Sequence, residues 1–329
     1  MKRNAKIIAT GMYAPENIVT NEFFNNLLRE DVGTWLEENL TIKERRWCKE
    51  DESTADLTEE VSEIVLKKAN LTPEELDLII VSTDTPEYIS PSTASVLQHR
   101  IGAINAGTFD VNTACAGFVT AVDMGAKYIQ SDERYNNILV IGAYAMSKYL
   151  NLNDKKTITL FADGAGAVIL RSTNGDAGWQ SSQLHTEGQY ADWMGIYAGG
   201  TKTPISDKAI VNNDHQLKFV KKFPKELNPI VWTKMVTESV NRAGYQVSDI
   251  DMIFLTQINI NSIRETIDNL GLSMKNTHTV MDRYGYTGSA CIPMALAEAD
   301  EQGKINPGDL IVFMGSGGGL AFATAVFKW

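Results

Sequence analysis

The segment ELDLIIVS at residues 75–82 recurs in altered form as DIDMIFLT at residues 249–256. In both copies an acidic turn leads into a short apolar run, which is typical of a strand buried inside a parallel sheet. A second pair follows in the same order, NILVIG at 137–142 and LIVFMG at 310–315, and each copy comes after a helical stretch. Strands that alternate with helices, repeated at about half the length of the chain, predict two similar α/β halves.

The same repeat brings Cys115 and Ser289 into equivalent positions. Each stands at the predicted N-terminus of a helix rich in small residues, CAGFVTAVDMGA in the first half and SACIPMALAEA in the second. Because small side chains let helices pack closely, we expect these two helices to form the shared centre of the molecule. The predicted fold is α/β, with two five-layered αβαβα halves, residues 1–173 and 174–329, related by a pseudo-twofold axis.

Composition excludes several classes of protein. At 329 residues and 43% hydrophobic content, the chain can bury one large core or two fused ones. The opening MKRNAKIIATGMYAP reads as a strand and turn, since Gly11 and Pro15 interrupt an apolar stretch too short for a signal peptide. A net charge of −11 argues against nucleic acid or anionic membrane as partners. With three cysteines and no metal-ligand spacing, we expect no metal site, no disulfide framework and a reducing, cytoplasmic location.

Cys115 is the candidate nucleophile. It lies in DVNTACAGF, residues 110–118, directly after an extended segment and at the predicted start of a helix. Free backbone N–H groups and the helix dipole favour an anion there, so we expect a lowered thiol pKa and a thiolate that needs no neighbouring base. The alternative, a buried structural cysteine, fits Cys48 and Cys291, whereas the small residues around Cys115 favour a reactive thiol.

The second candidate element is GSGGG, residues 315–319, which follows the predicted strand LIVFM. Glycines allow backbone N–H groups to approach a ligand closely and to stabilise the oxyanion of a thioester intermediate. The same pattern also fits a simple turn or half of a nucleotide-binding loop, although the lysine of a phosphate-binding loop is missing.

Together with further segments, these motifs resemble the β-ketoacyl-acyl-carrier-protein synthase III family of the thiolase superfamily across nearly the whole chain. The matching segments are WLEENLTIKERRW (35–47), TPEYISPSTASVLQHRIG (85–102), FDVNTACAGF (109–118), SKYLNLNDKKTITLFADGAGAVIL (147–170), DRYGYTGSACIPMAL (282–296) and GGGLAFATAVFKW (317–329). The resemblance implies a thiolase-like fold, a homodimer and no cofactor, with thioesters of coenzyme A or acyl carrier protein as substrates. It also implies that Cys115 carries the acyl group, while its N–H and that of Gly318 stabilise the tetrahedral oxyanion.

Two positions depart from the catalytic pattern of the family. Thr256, in the segment Leu255–Asn259, stands where the family has a histidine, and Tyr286 stands where it has an asparagine. By resemblance, that pair donates hydrogen bonds to the malonyl thioester carbonyl while carbon dioxide leaves. The hydroxyls of Thr256 and Tyr286 can replace those donors with a different geometry, or the longer Tyr286 can fill the space of a malonyl group.

The resemblance also implies substrate-binding positions. Trp35 and Lys155 would hold the adenine of coenzyme A, with Lys155 in place of one arginine and Asn39 in place of another. Asn259, from the segment that carries Thr256, is a further substrate-binding candidate.

Two positions concern the partner subunit and the carrier protein. Ser90 replaces the bulky residue that, in the family, the partner subunit inserts into the acyl pocket, so we expect an acyl group longer or bulkier than acetyl. Lys218, with Lys221, Lys222 and Lys225, is a candidate basic patch for carrier-protein docking, although such a cluster also fits a solvated surface.

None of the four histidines is an obvious replacement for the missing one, so Asp84 and Glu87, near the predicted dimer loop, are candidate carboxylate bases acting across the interface. We predict a ketosynthase that condenses the acyl group on Cys115 with a malonyl-type extender. Two alternatives stay open: a non-decarboxylating acyltransferase to an oxygen, nitrogen or sulfur acceptor, and a non-catalytic subunit of a heteromeric synthase.

Overall fold

The computed structural model describes residues 3–329. Its strands are β1 (Arg3–Tyr13), β2 (Ile18–Thr20), β3 (Glu44–Arg46), β4 (Leu78–Ser82), β5 (Gly107–Val111), β6 (Asn137–Ala145), β7 (Asp163–Asn174), β8 (Gly178–Thr186), β9 (Met194–Gly195), β10 (Lys218–Phe219), β11 (Met252–Leu255), β12 (Leu310–Gly317) and β13 (Ala321–Lys328). Its helices are α1 (Asn21–Leu28), α2 (Gly33–Leu40), α3 (Thr54–Ala69), α4 (Thr93–Ile101), α5 (Gly117–Ser131), α6 (Lys155–Ile158), α7 (Asp207–Val211), α8 (Leu227–Arg242), α9 (Ile260–Asn269), α10 (Met281–Tyr284) and α11 (Cys291–Glu301). Within these described residues, no helix combines the length and apolar character needed to cross a membrane.

Two large sheets organise these elements. The first has the strand order β1-β7-β6-β4-β5, and the second has the order β11-β12-β13-β8. β4 pairs in parallel with β5 and β6, and β11 pairs in parallel with β12. β8, β11, β12 and β13 therefore repeat the roles of β1, β4, β6 and β7, and the predicted duplicated α/β fold is confirmed. The chain passes between the sheets from Asn174 to Gly178, while the division at residues 173 and 174 stays a prediction.

In the part of the chain that the structure describes, the second sheet has no full counterpart of β5. The equivalent segment makes an isolated bridge from Thr277 to Ile253. A side chain satisfies the neighbouring backbone groups: the Gln257 amide donates to the His278 carbonyl at 3.1 Å and accepts from the Val280 N–H at 2.8 Å. The segment is thus held in place without forming a strand.

The helices form three layers around the two sheets, so the five layers belong to the whole molecule and not to each half as predicted. α3 and α4 cover the outer face of the first sheet, α8 and α9 cover the outer face of the second, and α5 and α11 lie between the sheets. The central pair is the one predicted from its small residues. Glycine on the strand is needed as well, because a Cβ on Gly166 in β7 would lie 2.6 Å from Met294 N and 2.7 Å from the Pro293 carbonyl carbon.

Candidate active site

Cys115 lies in the turn that connects β5 to α5. Because α5 begins at Gly117, the expectation that Cys115 starts the helix is wrong by two residues. Backbone hydrogen bonds close the turn, from Ala116 N to Thr113 O at 3.1 Å and from Gly117 N to Ala114 O at 2.9 Å. Ala114 is left-handed, with φ of 46°, a conformation that is costly for a residue with a Cβ and is concentrated at functional sites. The thiol that follows it is buried, with 2% of Cys115 exposed.

The glycine-rich hairpin between β12 and β13 packs directly against this turn. A Cβ on Gly317 would overlap the backbone N of Cys115 and would lie 2.8 Å from Thr113 O. Gly318 has more room, and a Cβ there would lie 4.0 Å from the Ala114 Cβ. The structure therefore brings Cys115 and Gly318 together from the two halves, while the role of Gly318 as an oxyanion donor stays a prediction.

The surroundings of Cys115 oppose its ionisation. Burial raises the pKa of the Cys115 thiol well above its ordinary value, and the negative charge of Asp84 raises that pKa further. A hydrogen bond with Tyr286 lowers it. The expectation of a lowered pKa is wrong, because desolvation outweighs the helix N-terminus, which starts two residues later. Cys115 therefore needs a proton acceptor before it can react as a thiolate.

Tyr286 brings its hydroxyl to Cys115 from the second half. Its backbone is held by hydrogen bonds of 2.9 Å each to Leu160 and Ala162, and its ring packs on Phe161 with the centroids 5.3 Å apart. Burial raises the pKa of Tyr286 well above its ordinary value, so the phenol keeps its proton and can donate a hydrogen bond. Of the two residues predicted to replace the missing pair, Tyr286 is the one that interacts with the thiol.

Thr256 faces a different partner. Its side chain is buried at the end of β11, where the hydroxyl accepts the Ser316 N–H at 2.8 Å and donates to the Ser316 carbonyl at 3.3 Å. A hydroxyl has a single proton, so the donor of Thr256 is already engaged. These two hydrogen bonds attach Thr256 to β12, the strand that leads into the glycine-rich hairpin. A contact between Thr256 and substrate stays a prediction.

The predicted coenzyme A contacts lie at the surface. Trp35 on α2 is 56% exposed, and Lys155 at the start of α6 pairs at 2.9 Å with Glu30, which lies in the loop that leads to α2. Asn259 caps α9, where its Oδ1 accepts the Asn261 N–H at 2.9 Å. The structure thus places Trp35 and Lys155 around the same loop, whereas the side chain of Asn259 has a local role in its helix.

Ser90 and Lys218 also lie at the surface. Ser90 follows Tyr88 and Ile89, which are 55% and 82% exposed, in the segment between β4 and α4. Lys218 pairs with Asp214 at 2.6 Å, so its charge is balanced within its own chain. Neither residue belongs to the buried centre around Cys115.

The two candidate carboxylate bases have different surroundings. Glu87 Oε2 accepts the Ala55 N–H at 2.9 Å in the first turn of α3, which is the position of a helix cap. The negative charge of Asp84 raises the pKa values of Cys115 and Tyr144 in the same chain, whereas the sequence suggested that Asp84 acts as a base across an interface. The sequence could have predicted that Asp84 and Cys115 lie close together. Each follows a predicted strand, and the carboxyl ends of parallel strands share one edge of a sheet.

His278 is buried but engaged at both ring nitrogens. Glu298 Oε1 lies 2.8 Å from Nε2, and Lys304 Nζ lies 3.0 Å from Nδ1. Burial lowers the pKa of His278, so the ring is neutral near pH 7. Its contacts link Glu298 and Lys304 within the second half.

Comparison with known proteins gives this arrangement a family. Residues 109–188 match the model for 3-oxoacyl-[acyl-carrier-protein (ACP)] synthase III, and residues 240–329 match the model for its C-terminal region. The β-ketoacyl-[acyl-carrier-protein] synthase III of Clostridioides difficile strain 630 is 36% identical over 332 residues, covering 100% of this chain and 99% of the relative. That of Clostridium perfringens strain 13 is 37% identical over 329 residues, covering 99% of both.

Solved structures of the same description share the fold. The enzyme from Thermus thermophilus has a TM-score of 0.90 at 30% identity, covering 98% of this chain and 99% of its own. The enzyme from Aquifex aeolicus VF5 has a TM-score of 0.88 at 30% identity, covering 99% and 100%. With matches of this extent over both halves, the chain belongs to the 3-oxoacyl-[acyl-carrier-protein] synthase III family, whose members are acyltransferases.

Proposed function

We propose that the chain accepts an acyl group on Cys115 from a coenzyme A or acyl-carrier-protein thioester and condenses it with a malonyl-type extender. The observation that carries the proposal is the meeting of three groups from both halves: the thiol of Cys115, the glycine-rich hairpin at Gly317 and Gly318, and the hydroxyl of Tyr286. The names of the relatives give the same reaction class.

In the first step the sulfur of Cys115 attacks the donor carbonyl. A tetrahedral oxyanion forms, and the N–H groups of Cys115 and Gly318 stabilise it, as preorganised donors do in acyl transfer. Collapse breaks the C–S bond of the donor, and the leaving thiolate takes up the proton that Cys115 lost. The products are the acyl-enzyme and a free thiol, and no cofactor takes part.

In the second step the carboxylate of the extender leaves as carbon dioxide and an enolate develops on its thioester oxygen. Tyr286 donates a hydrogen bond to that oxygen in place of the asparagine of the family. The enolate carbon attacks the acyl-enzyme, Cys115 leaves as a thiolate, and one proton from solvent restores the thiol.

Non-decarboxylating acyl transfer is the second candidate. It is supported by Thr256, whose proton is engaged by Ser316, so that Tyr286 is the single hydroxyl of the predicted pair that lies at the thiol. A non-catalytic subunit fits less well. It would need neither the buried thiol of Cys115 nor the glycine at position 317 that lets the hairpin pack against the Cys115 turn.

Intact-protein mass spectrometry tests these alternatives. The chain is incubated with a panel of acyl-coenzyme A and acyl-carrier thioesters, with Cys115→Ala as the control, and malonyl-carrier protein is added second. We expect an adduct that depends on Cys115 and disappears with release of carbon dioxide and a β-keto product. An adduct that survives malonyl-carrier protein and is discharged by an alcohol, amine or thiol supports simple transfer, and the absence of any adduct contradicts both.

A homodimer also belongs to this proposal. The segment with Tyr88, Ile89 and Ser90 exposes two large apolar side chains, and exposed apolar surface of this kind is typical of interaction sites.

A further inference from the structure

Asp84 is held at the edge of the first sheet where Cys115 lies. It follows β4, whose carboxyl end meets those of its parallel neighbours β5 and β6. Its neighbour Thr83 donates from its backbone N–H to Val111 O at 3.1 Å, at the end of β5. On the other side, the Oγ1 of Thr85 accepts the Ala145 N–H at 2.9 Å, at the end of β6. Asp84 therefore lies between the end of β5, which leads to Cys115, and the end of β6, which contains Tyr144.

The carboxylate of Asp84 lacks the partners that a structural carboxylate has. Its Oδ1 atom is buried and has no hydrogen-bond partner among residues 3–329, although the residue as a whole is partly exposed. No other residue in the described part of the chain donates a hydrogen bond to this oxygen, so the Asp84 carboxylate stays available to accept a proton. By contrast, Glu87, three residues later, is bonded to the N-terminus of α3.

The charge of Asp84 raises the pKa values of three groups on the elements around it. They are Cys115 from the β5–α5 turn, Tyr144 from β6 and Tyr149 from the turn after β6, and none of the three is a cation. Burial raises the pKa of Asp84 to about 6. A carboxylate in that range is ionised at neutral pH yet basic enough to accept a proton from a thiol in a transition state.

We propose that Asp84 is the acid–base group of Cys115 within its own chain, accepting the thiol proton as the acyl-enzyme forms and returning a proton to Cys115 when the sulfur is released. The inference rests on the proposed function and supplies the proton acceptor that the buried thiol requires. It assigns this task to a carboxylate that follows β4, whereas both ring nitrogens of His278 are already engaged.

The proton balance is complete without a further reactant. During acylation the S–H bond breaks, the proton moves to the Asp84 carboxylate, the new C–S bond forms, and the leaving thiolate then takes that proton. During condensation the sulfur leaves as a thiolate, Asp84 takes one proton from water, and it passes that proton to the sulfur. The net uptake of one proton matches the loss of carbon dioxide from a carboxylate.

The first test is single-turnover acylation, followed by mass spectrometry between pH 5 and pH 8 with the acyl-coenzyme A that loads the unmodified chain best. The unmodified chain should lose rate as the pH falls through about 6, since the carboxylate is then protonated. Asp84→Asn should acylate about 10²- to 10⁴-fold more slowly, and its pH–rate profile should lose the inflection near pH 6. Glu87→Gln, the matched carboxylate control, should keep the inflection. Acylation by Asp84→Asn at the unmodified rate, with the inflection retained, overturns the proposal.

The second test needs no acyl donor and so separates this inference from the proposed function. The negative charge of Asp84 raises the pKa of Cys115, so its removal should increase the thiolate fraction. Iodoacetamide should then alkylate Cys115 faster in Asp84→Asn than in the unmodified chain at pH 8, although acylation is slower. Unchanged thermal unfolding of the variant excludes simple exposure of the thiol, and Asp84→Glu should recover part of the acylation. An unchanged alkylation rate in a folded Asp84→Asn variant overturns the coupling, whereas faster alkylation without acylation by any thioester supports it and contradicts the proposed function.

Discussion

At the residue scale, the two hydroxyls that replace the family's histidine and asparagine face different partners. Tyr286 interacts with the thiol of Cys115, and Thr256 bonds to the backbone of Ser316. The same substitution pattern therefore places one hydroxyl at the Cys115 thiol and the other at the backbone of β12. The next two predictions separate these roles.

Tyr286→Phe removes the hydroxyl and keeps the ring. Because the hydrogen bond of Tyr286 lowers the pKa of Cys115, its loss should raise that pKa and slow alkylation by iodoacetamide about 5- to 10-fold at pH 8, the effect of losing one hydrogen bond. Condensation should fall by about 10²- to 10³-fold, as for loss of an oxyanion donor. Tyr128→Phe, in the last turn of α5, is the control and should change neither the alkylation rate nor the condensation rate. Equal alkylation rates in Tyr286→Phe and the unmodified chain would contradict this role.

Thr256→Val keeps the shape of the side chain and removes both bonds to Ser316. The buried Ser316 N–H then lacks its acceptor, so we expect a loss of about 1–3 kcal/mol in the free energy of unfolding, measured by chemical denaturation. Acylation should slow because the hairpin loses its support. Thr256→Ser should restore both stability and rate. If Thr256→Val is stable and acylates normally but cannot condense, Thr256 contacts substrate and the support role fails.

At the scale of elements, the central layer depends on backbone contact between α11 and the first sheet. Gly166→Ala would place a methyl group 2.6 Å from Met294 N, and the helix backbone cannot turn away as a side chain can. We expect a loss of about 1–3 kcal/mol in the free energy of unfolding, as for other overpacked cores. Gly188→Ala is the matched control, since no atom lies within 4 Å of the added carbon. Equal denaturation midpoints for the two variants would show that the layers can separate without cost.

The elements also show where pattern reasoning succeeds and where it stops. The two apolar runs at 75–82 and 249–256 became β4 and β11, because four or five consecutive buried residues can be satisfied in a parallel strand covered on both faces. The reduction of the next strand to one bridge at Thr277 could not be anticipated. It depends on the amide of Gln257, which comes from another segment and occupies the hydrogen-bonding groups of that backbone.

At the scale of the whole molecule, the homodimer proposed above would let a second copy of the chain contribute to acyl selectivity. The segment carrying Ser90 is exposed next to Tyr88 and Ile89, so it is available to a partner. Ser90→Phe should therefore shorten the preferred acyl group towards acetyl, and Ser90→Ala should leave the preference unchanged. The acyl panel with mass spectrometry measures both. A chain-length profile that Ser90→Phe leaves unchanged would remove Ser90 from the acyl pocket.

Sequence patterns were sufficient to predict the layered α/β halves, the two central helices, the glycine-rich hairpin and Cys115 as the candidate nucleophile. These features follow from local periodicity, residue size and backbone freedom, which neighbours along the chain are sufficient to express. Three properties emerged only from the packed structure: the raised pKa of Cys115, the different contacts of Tyr286 and Thr256, and the position of Asp84 near Cys115 in the same chain. Those properties depend on desolvation and on charges from strand ends far apart in sequence, and such distances exist only once the sheets and helices have packed.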